Sequence, residues 1–295
     1  MSARTVLRAT AGLAAVGAAA LAYASLVERN LFTLRRFDVP VLGPDDEPMR
    51  VLHLSDLHMM PAQRRKQRWV ADLVGLDPDL VVVSGDNWAH PDALAAVVRA
   101  YGPLLDYPGA FVFGSNDYNG PVFKNPLGYF SRDREYVQGL ELPHPELRAL
   151  FTTHGWVDLN NARTTIKAGG RTVELVGVDD PHIHRDLYAS VAGLVSPSAD
   201  VHIGVTHTPE PSVLDAMAAD GFTLLLAGHT HGGQVRVPGV GALVTNCGLP
   251  RRMARGLHRW PPSWLHVSAG LGTHPTAPVR FACPPEATLL TLVPR

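Results

Sequence analysis

Apolar positions fall along this chain in runs of two kinds. Residues 50–55, 80–84, 201–206 and 223–227 are short, nearly continuous apolar stretches. Such runs are the pattern of strands buried on both faces. Between them the spacing widens to that of helices, as with Val70, Leu73 and Val74 within 67–76, and again over 91–100 and 146–152. Ser212 reads as the N-cap of a helix that continues to Ala219 and stops at Gly221. Further strands are expected at 110–113, 164–166, 172–177, 235–237, 265–268 and 288–292. Strand and helix alternate through the first third, which predicts an α/β fold with a mainly parallel sheet.

Three segments depart from this alternation. From residue 9 to 27 no side chain is charged; Arg4 and Arg8 precede the run, and Glu28, Arg29, Arg35 and Arg36 follow it. About 20 apolar residues suffice for a helix across a bilayer, so 1–30 reads as an N-terminal membrane anchor that places the protein at the cell membrane. Ala22-Tyr23-Ala24 also fits a signal-peptide cleavage site, and export with removal of the segment is the competing reading. Arginines on both sides leave the membrane face open. Residues 31–48, with Pro40, Gly43-Pro44 and Asp45-Asp46-Glu47, read as a linker, so the globular domain is expected over 49–295. Residues 119–142 are irregular and rich in Tyr, Phe and Arg, and read as a lid.

Composition narrows the chemistry. A formal net charge of −1 argues against a nucleic-acid binder, and the tryptophans form no stacking pattern. Cys247 and Cys283 are too few for a thiolate metal site; they either pair once or stay separate. The 14 histidines point instead to N- and O-ligated metals.

Those histidines coincide with the expected strand ends. Asp56-Leu57-His58 follows the strand at 50–55, and Ser84-Gly85-Asp86 closes the most apolar one. Gly114-Ser115-Asn116-Asp117 follows 110–113, His207 closes 201–206, and Gly228-His229-Thr230-His231-Gly232 closes 223–227. The carboxyl edge of a parallel sheet is where α/β folds place ligands. So many ionisable groups gathered at one edge call for a compensating cation.

Asp56-x-His58, Gly85-Asp86, Asn116, His207 and Gly228-His229-x-His231 resemble the signature of calcineurin-like metallophosphoesterases, over about residues 49–234. Gly177-Val178-Asp179-Asp180-Pro181, Ser268-Ala269-Gly270-Leu271-Gly272, Pro278-Val279-Arg280-Phe281 and Pro285-Glu286 resemble a bacterial branch with an N-terminal membrane segment. The resemblance implies a four-layer αββα sandwich of two mixed sheets and a pair of divalent cations (Mn, Fe or Zn). One cation would take Asp56, His58, His231 and Asp86; the other would take Asn116, His207 and His229 and share Asp86. A hydroxide bridging them would attack the phosphorus of a phosphodiester or pyrophosphate. Lipid-linked substrates, such as acylated sugar-nucleotide pyrophosphates, are implied by the same branch.

One motif departs from the family, where Gly-Asn-His is usual: the histidine that assists the leaving group is missing from Gly114-Ser115-Asn116-Asp117. Ungapped, Ser115 falls on the metal position; slipped by one, Asn116 keeps it, and the better donor strength of an amide oxygen favours the slip. Asp117, His182 and His184 are then the candidate proton donors, and good leaving groups are expected. A metal-binding scaffold that has lost catalysis is the alternative function. His53 reads as a packed side chain, and the run Arg64, Arg65, Lys66, Arg68 as a solvated helix face.

Overall fold

The structure, a computed structural model, describes residues 2–123 and 137–295. Its strands, in chain order, are β1 (Thr33–Leu42), β2 (Met49–Leu54), β3 (Leu80–Val83), β4 (Gly109–Phe111), β5 (Val157–Asp158), β6 (Ala162–Ala168) and β7 (Arg171–Gly177). They continue as β8 (Val201–Thr206), β9 (Leu224–Ala227), β10 (Arg236–Val237), β11 (Gly241–Ala242), β12 (Gly256–Trp260), β13 (Ser263–Val267) and β14 (Glu286–Pro294). The helices are α1 (Ala3–Ala22), α2 (Arg64–Ala71), α3 (Leu94–Tyr101), α4 (Ser115–Tyr118), α5 (His144–Thr153) and α6 (Pro211–Ala219).

Two six-stranded mixed sheets, ordered β1-β14-β2-β3-β4-β5 and β12-β13-β9-β8-β7-β6, pack face to face. Within the first sheet β2 to β5 are parallel, as the alternating pattern predicts, and only the β14–β2 pairing is antiparallel. The period of two along each strand sorts side chains between layers. Met49, Val51, Leu80 and Val82 meet Val173, Ile203, Leu224 and Leu226 between the sheets. Leu52, Leu54, Val81 and Val83 turn outward to Val70 of α2, Val97 of α3 and Phe151 of α5. On the far side, Val176, Leu225 and Val267 pack on Leu214 and Met217 of α6. The result is the expected αββα sandwich.

The linker reading of 31–48 needs correction. Residues Thr33–Leu42 form β1, which runs parallel to β14 with Thr33 opposite Glu286 and Leu42 opposite Pro294. Only the turn around 43–48 is a connector. Lys66 also departs from the solvated-face reading: it is 5% exposed, while Arg64, Arg65 and Arg68 are exposed as expected. The lid expected over 119–142 falls mainly on 124–136, outside the described residues. The apolar helix that opens at Ala3 continues in tighter and wider turns to Asn30 and is nearly all exposed. It has the length and composition to cross a membrane, properties it shares with signal sequences. Cys247 and Cys283 are separate thiols.

Candidate metal centre

The C-terminal ends of β2, β3, β4, β8 and β9 converge on one site beside a cavity of about 350 Å³; His58, Asp86, Asn116, His229 and His231 line the cavity, and Asp56 and His207 lie fully buried behind them. Asp56, His58, Asp86 and His231 form the tightest group there, with one ligand-capable atom of each lying within 4.8 Å of the others. His58 Nε2 is 3.1 Å from His231 Nε2 and 3.4 Å from Asp86 Oδ2, while His231 Nε2 is 3.4 Å from Asp56 Oδ1. Two imidazole nitrogens and two carboxylates converging in this way suit a cation whose ligands sit about 2.0–2.2 Å away.

His207 brings a second set to Asp86. Its Nδ1 donates to the Ser84 carbonyl at 2.7 Å, which leaves Nε2 facing Asp86 Oδ2 at 3.4 Å with no hydrogen bond. A ligating histidine has this arrangement, with one ring nitrogen fixed by an outer carbonyl and the other aimed inward. His229 also has one ring nitrogen at a carbonyl, its Nε2 lying 3.1 Å from that of Asn246, and its ring is 5.3 Å from that of His207. Asn116 grips Asp86 with its backbone N–H (2.9 Å) and its side-chain amide nitrogen (2.7 Å). To ligate a cation, its amide would have to turn over. Ser115 lines the same cavity, and its N–H donates to Asp180 at 2.8 Å. The donor set and the unpartnered Nε2 of His207 fit N,O-ligated divalent metal.

The electrostatics agree. Burial would raise both carboxylates, but the His231 charge holds Asp56, and the His207 charge holds Asp86, below the usual carboxylate range. His207 is the mirror case, raised by Asp86 and Asp180 despite its burial. Burial and the His207 charge lower His229 to about 4. Ligation through His207 Nε2 would require the neutral imidazole.

The backbone around these residues is unusual. Asp56, His58, Asp86, His229 and His231 all have φ between 41° and 67°, a region few non-glycine residues visit. Glycine is needed at two neighbouring points. A Cβ on Gly114 would lie 2.6 Å from His207 Nε2, and one on Gly228 would lie 2.7 Å from an Asp56 carboxylate oxygen.

Not every expected site residue reaches the cavity. Asp117 does not: its carboxylate is fully buried and accepts from the N–H groups of Asp86 (2.8 Å), Asn87 (2.7 Å) and Gly114 (2.9 Å). Both oxygens are thereby turned into the protein, so Asp117 holds the loop that carries Asp86 and is not placed to protonate a leaving group. His184 is exposed and away from the cavity wall. His182 does line it, with its ring 4.8 Å from that of His229. His53 is packed between the sheets, bonded to Ser84 Oγ and His266 Nδ1 at 2.8 Å each. Asn246 and His274, which line the cavity, lie in the Gly- and Pro-rich tail with no motif around them to mark them.

Residues 49–233 match the family profile of the calcineurin-like phosphoesterases. The chain belongs to that family and is a phosphoester hydrolase. It is 27% identical to phosphodiesterase YaeI of Escherichia coli over 99% of this chain and 100% of that one. It is 26% identical to the uncharacterized metallophosphoesterase YkoQ of Bacillus subtilis, over 83% and 84% of the two chains. Among solved structures it is similar to an archaeal phosphodiesterase, with 11% identity, 75% of this chain and 84% of that one covered, and a TM-score of 0.39.

Proposed function

We propose that this protein is a membrane-anchored phosphodiester or pyrophosphate hydrolase with two divalent cations (Mn, Fe or Zn). Asp56, His58 and His231 would hold one and Asn116, His207 and His229 the other, with Asp86 shared. The observation that carries the reading is the convergence of four buried or half-buried ligand groups on Asp86, with His207 already fixed for inward ligation. Bound cations supply Lewis acidity toward phosphoryl oxygens and a nucleophile competent at neutral pH. Around them, the chain's own residues do three things. Asp117 and Asn116 fix Asp86 from its backbone and carboxylate sides. Asp180 fixes Ser115. His182, which lines the cavity, would give a proton to the leaving group.

The substrate reading follows from the rest of the wall. Val122, Val137, Val235, Leu243 and Val279 line the cavity with apolar side chains, which suits a phosphoester that carries a hydrophobic group, including a lipid-linked one. Retention of the anchor is supported by Ala24, which is 5% exposed and whose carbonyl accepts from Arg280 N at 3.1 Å. Cleavage there would open a contact that the domain uses.

The test is hydrolysis of bis-p-nitrophenyl phosphate and p-nitrophenyl phosphate by the full chain in mild detergent with Mn²⁺, beside Asp86→Ala, with metal content measured separately. Mn-dependent diester cleavage that is lost in the variant is expected. Stoichiometric metal uptake with no turnover of either ester, or of a lipid pyrophosphate, would overturn the hydrolytic reading.

A further inference from the structure

The β10–β11 hairpin separates two openings. Val235, just before it, and Leu243, just after it, line the metal-centre cavity. Its other side, with Arg236, Val237 and Val240, joins Arg251, Arg252 and Ala282 around a more open groove of about 690 Å³. No acidic residue lines that groove, and among the described residues none of the three arginines is ion-paired. Arg251 and Arg252 are exposed, as are Val237 (41%) and Val240 (69%) at the hairpin. Exposed apolar tips beside cations that have no ion-pair partner match the two halves of a lipid interface, acyl boundary and anionic headgroup.

The groove is also tied to the end of the apolar helix. Val235 bridges to Phe281, and Arg236 N donates to the Phe281 carbonyl at 2.9 Å. The Phe281 ring meets Tyr23 edge-on at 6.4 Å, and Arg280 N bonds Ala24. Glu28 accepts from Cys283 N at 2.6 Å, which fixes the helix end to the same segment. A bilayer that takes α1 thus lies within a few residues of the hairpin.

We infer that the hairpin and the arginine groove form a docking surface for anionic lipid headgroups of that bilayer. Arg251 and Arg252 pair with lipid phosphates, while Val237 and Val240 enter the interface. The inference rests on the anchor reading above. It orients the molecule so that the Val235–Leu243 flank of the cavity opens at the membrane surface, where an amphiphilic phosphoester is presented headgroup first. Each arginine favours the seated state by roughly fivefold on an anionic surface, and the pair together by roughly 25-fold.

The test uses the full chain with an environment-sensitive nitrobenzoxadiazole label at Val240→Cys, corrected for the labelled parent, in vesicles of phosphatidylcholine with or without one quarter phosphatidylglycerol. Expected are a blue-shifted, brighter signal quenched by doxyl lipid in the anionic vesicles alone, and its loss in Arg251→Gln/Arg252→Gln. That double variant should still float with both vesicle types and hydrolyse a soluble diester at the parent rate. A signal equal in neutral and anionic vesicles while the chain floats with both would overturn the docking surface. The same signal elicited by millimolar inorganic phosphate without vesicles would overturn the assignment to lipid. A chain that floats with neither vesicle refutes the anchor, and this inference with it.

Discussion

Replacing Asp117 by Ala separates two roles that its burial alone would confuse. Burial and the Asp86 charge push its carboxyl up to about 7, against the pull of the Gly114 and Asn87 backbone donors. A pKa in that range is what a general acid needs. The geometry assigns it another task, because three buried backbone N–H groups end on it. Alanine leaves all three without an acceptor, at about 1–3 kcal/mol each. With partial relaxation the loss is about 4 kcal/mol, a fall of roughly 6–8 °C in melting temperature for a domain of this size. Asparagine keeps one acceptor oxygen but turns an NH₂ toward the donors, so about half that loss is expected. The assay pairs thermal melting of the full chain with kcat/KM for phosphodiesters of graded leaving-group pKa. A positioning role predicts a similar fractional loss for every leaving group, since the Asp86 loop shifts for all of them. A proton donor would instead show losses that grow with leaving-group pKa, reaching 10²–10⁴ for the poorest. An unchanged melting temperature with a steepened leaving-group dependence would refute the positioning role.

His182→Ala should show the pattern that Asp117→Ala lacks: little loss for p-nitrophenolate departure, a loss approaching about 10² for alkoxide departure, and no change in metal content. A flat loss across the same diester series would remove His182 from that role. Lys66→Met reports on a different buried group. Burial, with Arg280 and Arg29 nearby, lowers the Lys66 amine to about 7, and it donates to the Leu57 carbonyl at 2.6 Å, between Asp56 and His58. Because the unfolded amine titrates near 10.4, the unfolded chain binds more protons between these values, and stability rises with pH at up to about 1.4 kcal/mol per unit. Urea unfolding should show this rise from pH 7 to 9 in the parent and a flatter profile in Lys66→Met; parallel profiles would refute a buried, depressed amine.

What the sequence made legible was set by where the information is local. The strands β2, β3, β8 and β9 announce themselves because burial on both faces makes them continuous apolar runs, and the ligand motifs sit directly after them. The strand β1 does not. Its sequence, TLRRFDVPVL, mixes arginines with Pro40, and the partner that makes it a strand, β14, lies some 250 residues further on. Lys66 reads as one more cation on a basic helix because its acceptor is a main-chain carbonyl, which no side-chain pattern encodes. Asp117 fails for the same reason: its partners include backbone N–H groups of the Asp86 loop and of its own.

That backbone dependence also explains why the ligand motifs could be read together. Five candidate ligands occupy left-handed backbone, at about 1–2 kcal/mol each, a sum comparable with the whole stability of an ordinary domain. The compensation is reciprocal. Asp56 N bonds the Gly85 carbonyl at 2.9 Å, His58 N the Asp86 carbonyl at 2.9 Å, and Gly228 N the His207 carbonyl at 3.0 Å. His229 N reaches the Asp56 carboxylate at 3.1 Å, and Asn116 N that of Asp86 at 2.9 Å. Each ligand loop is thus held in its strained shape by the next one. A chain that kept only one or two of these motifs would carry the strain without the bonds that offset it. Their joint appearance at successive strand ends is therefore a physical requirement of the site, and it is why five short motifs, each weak alone, identify it.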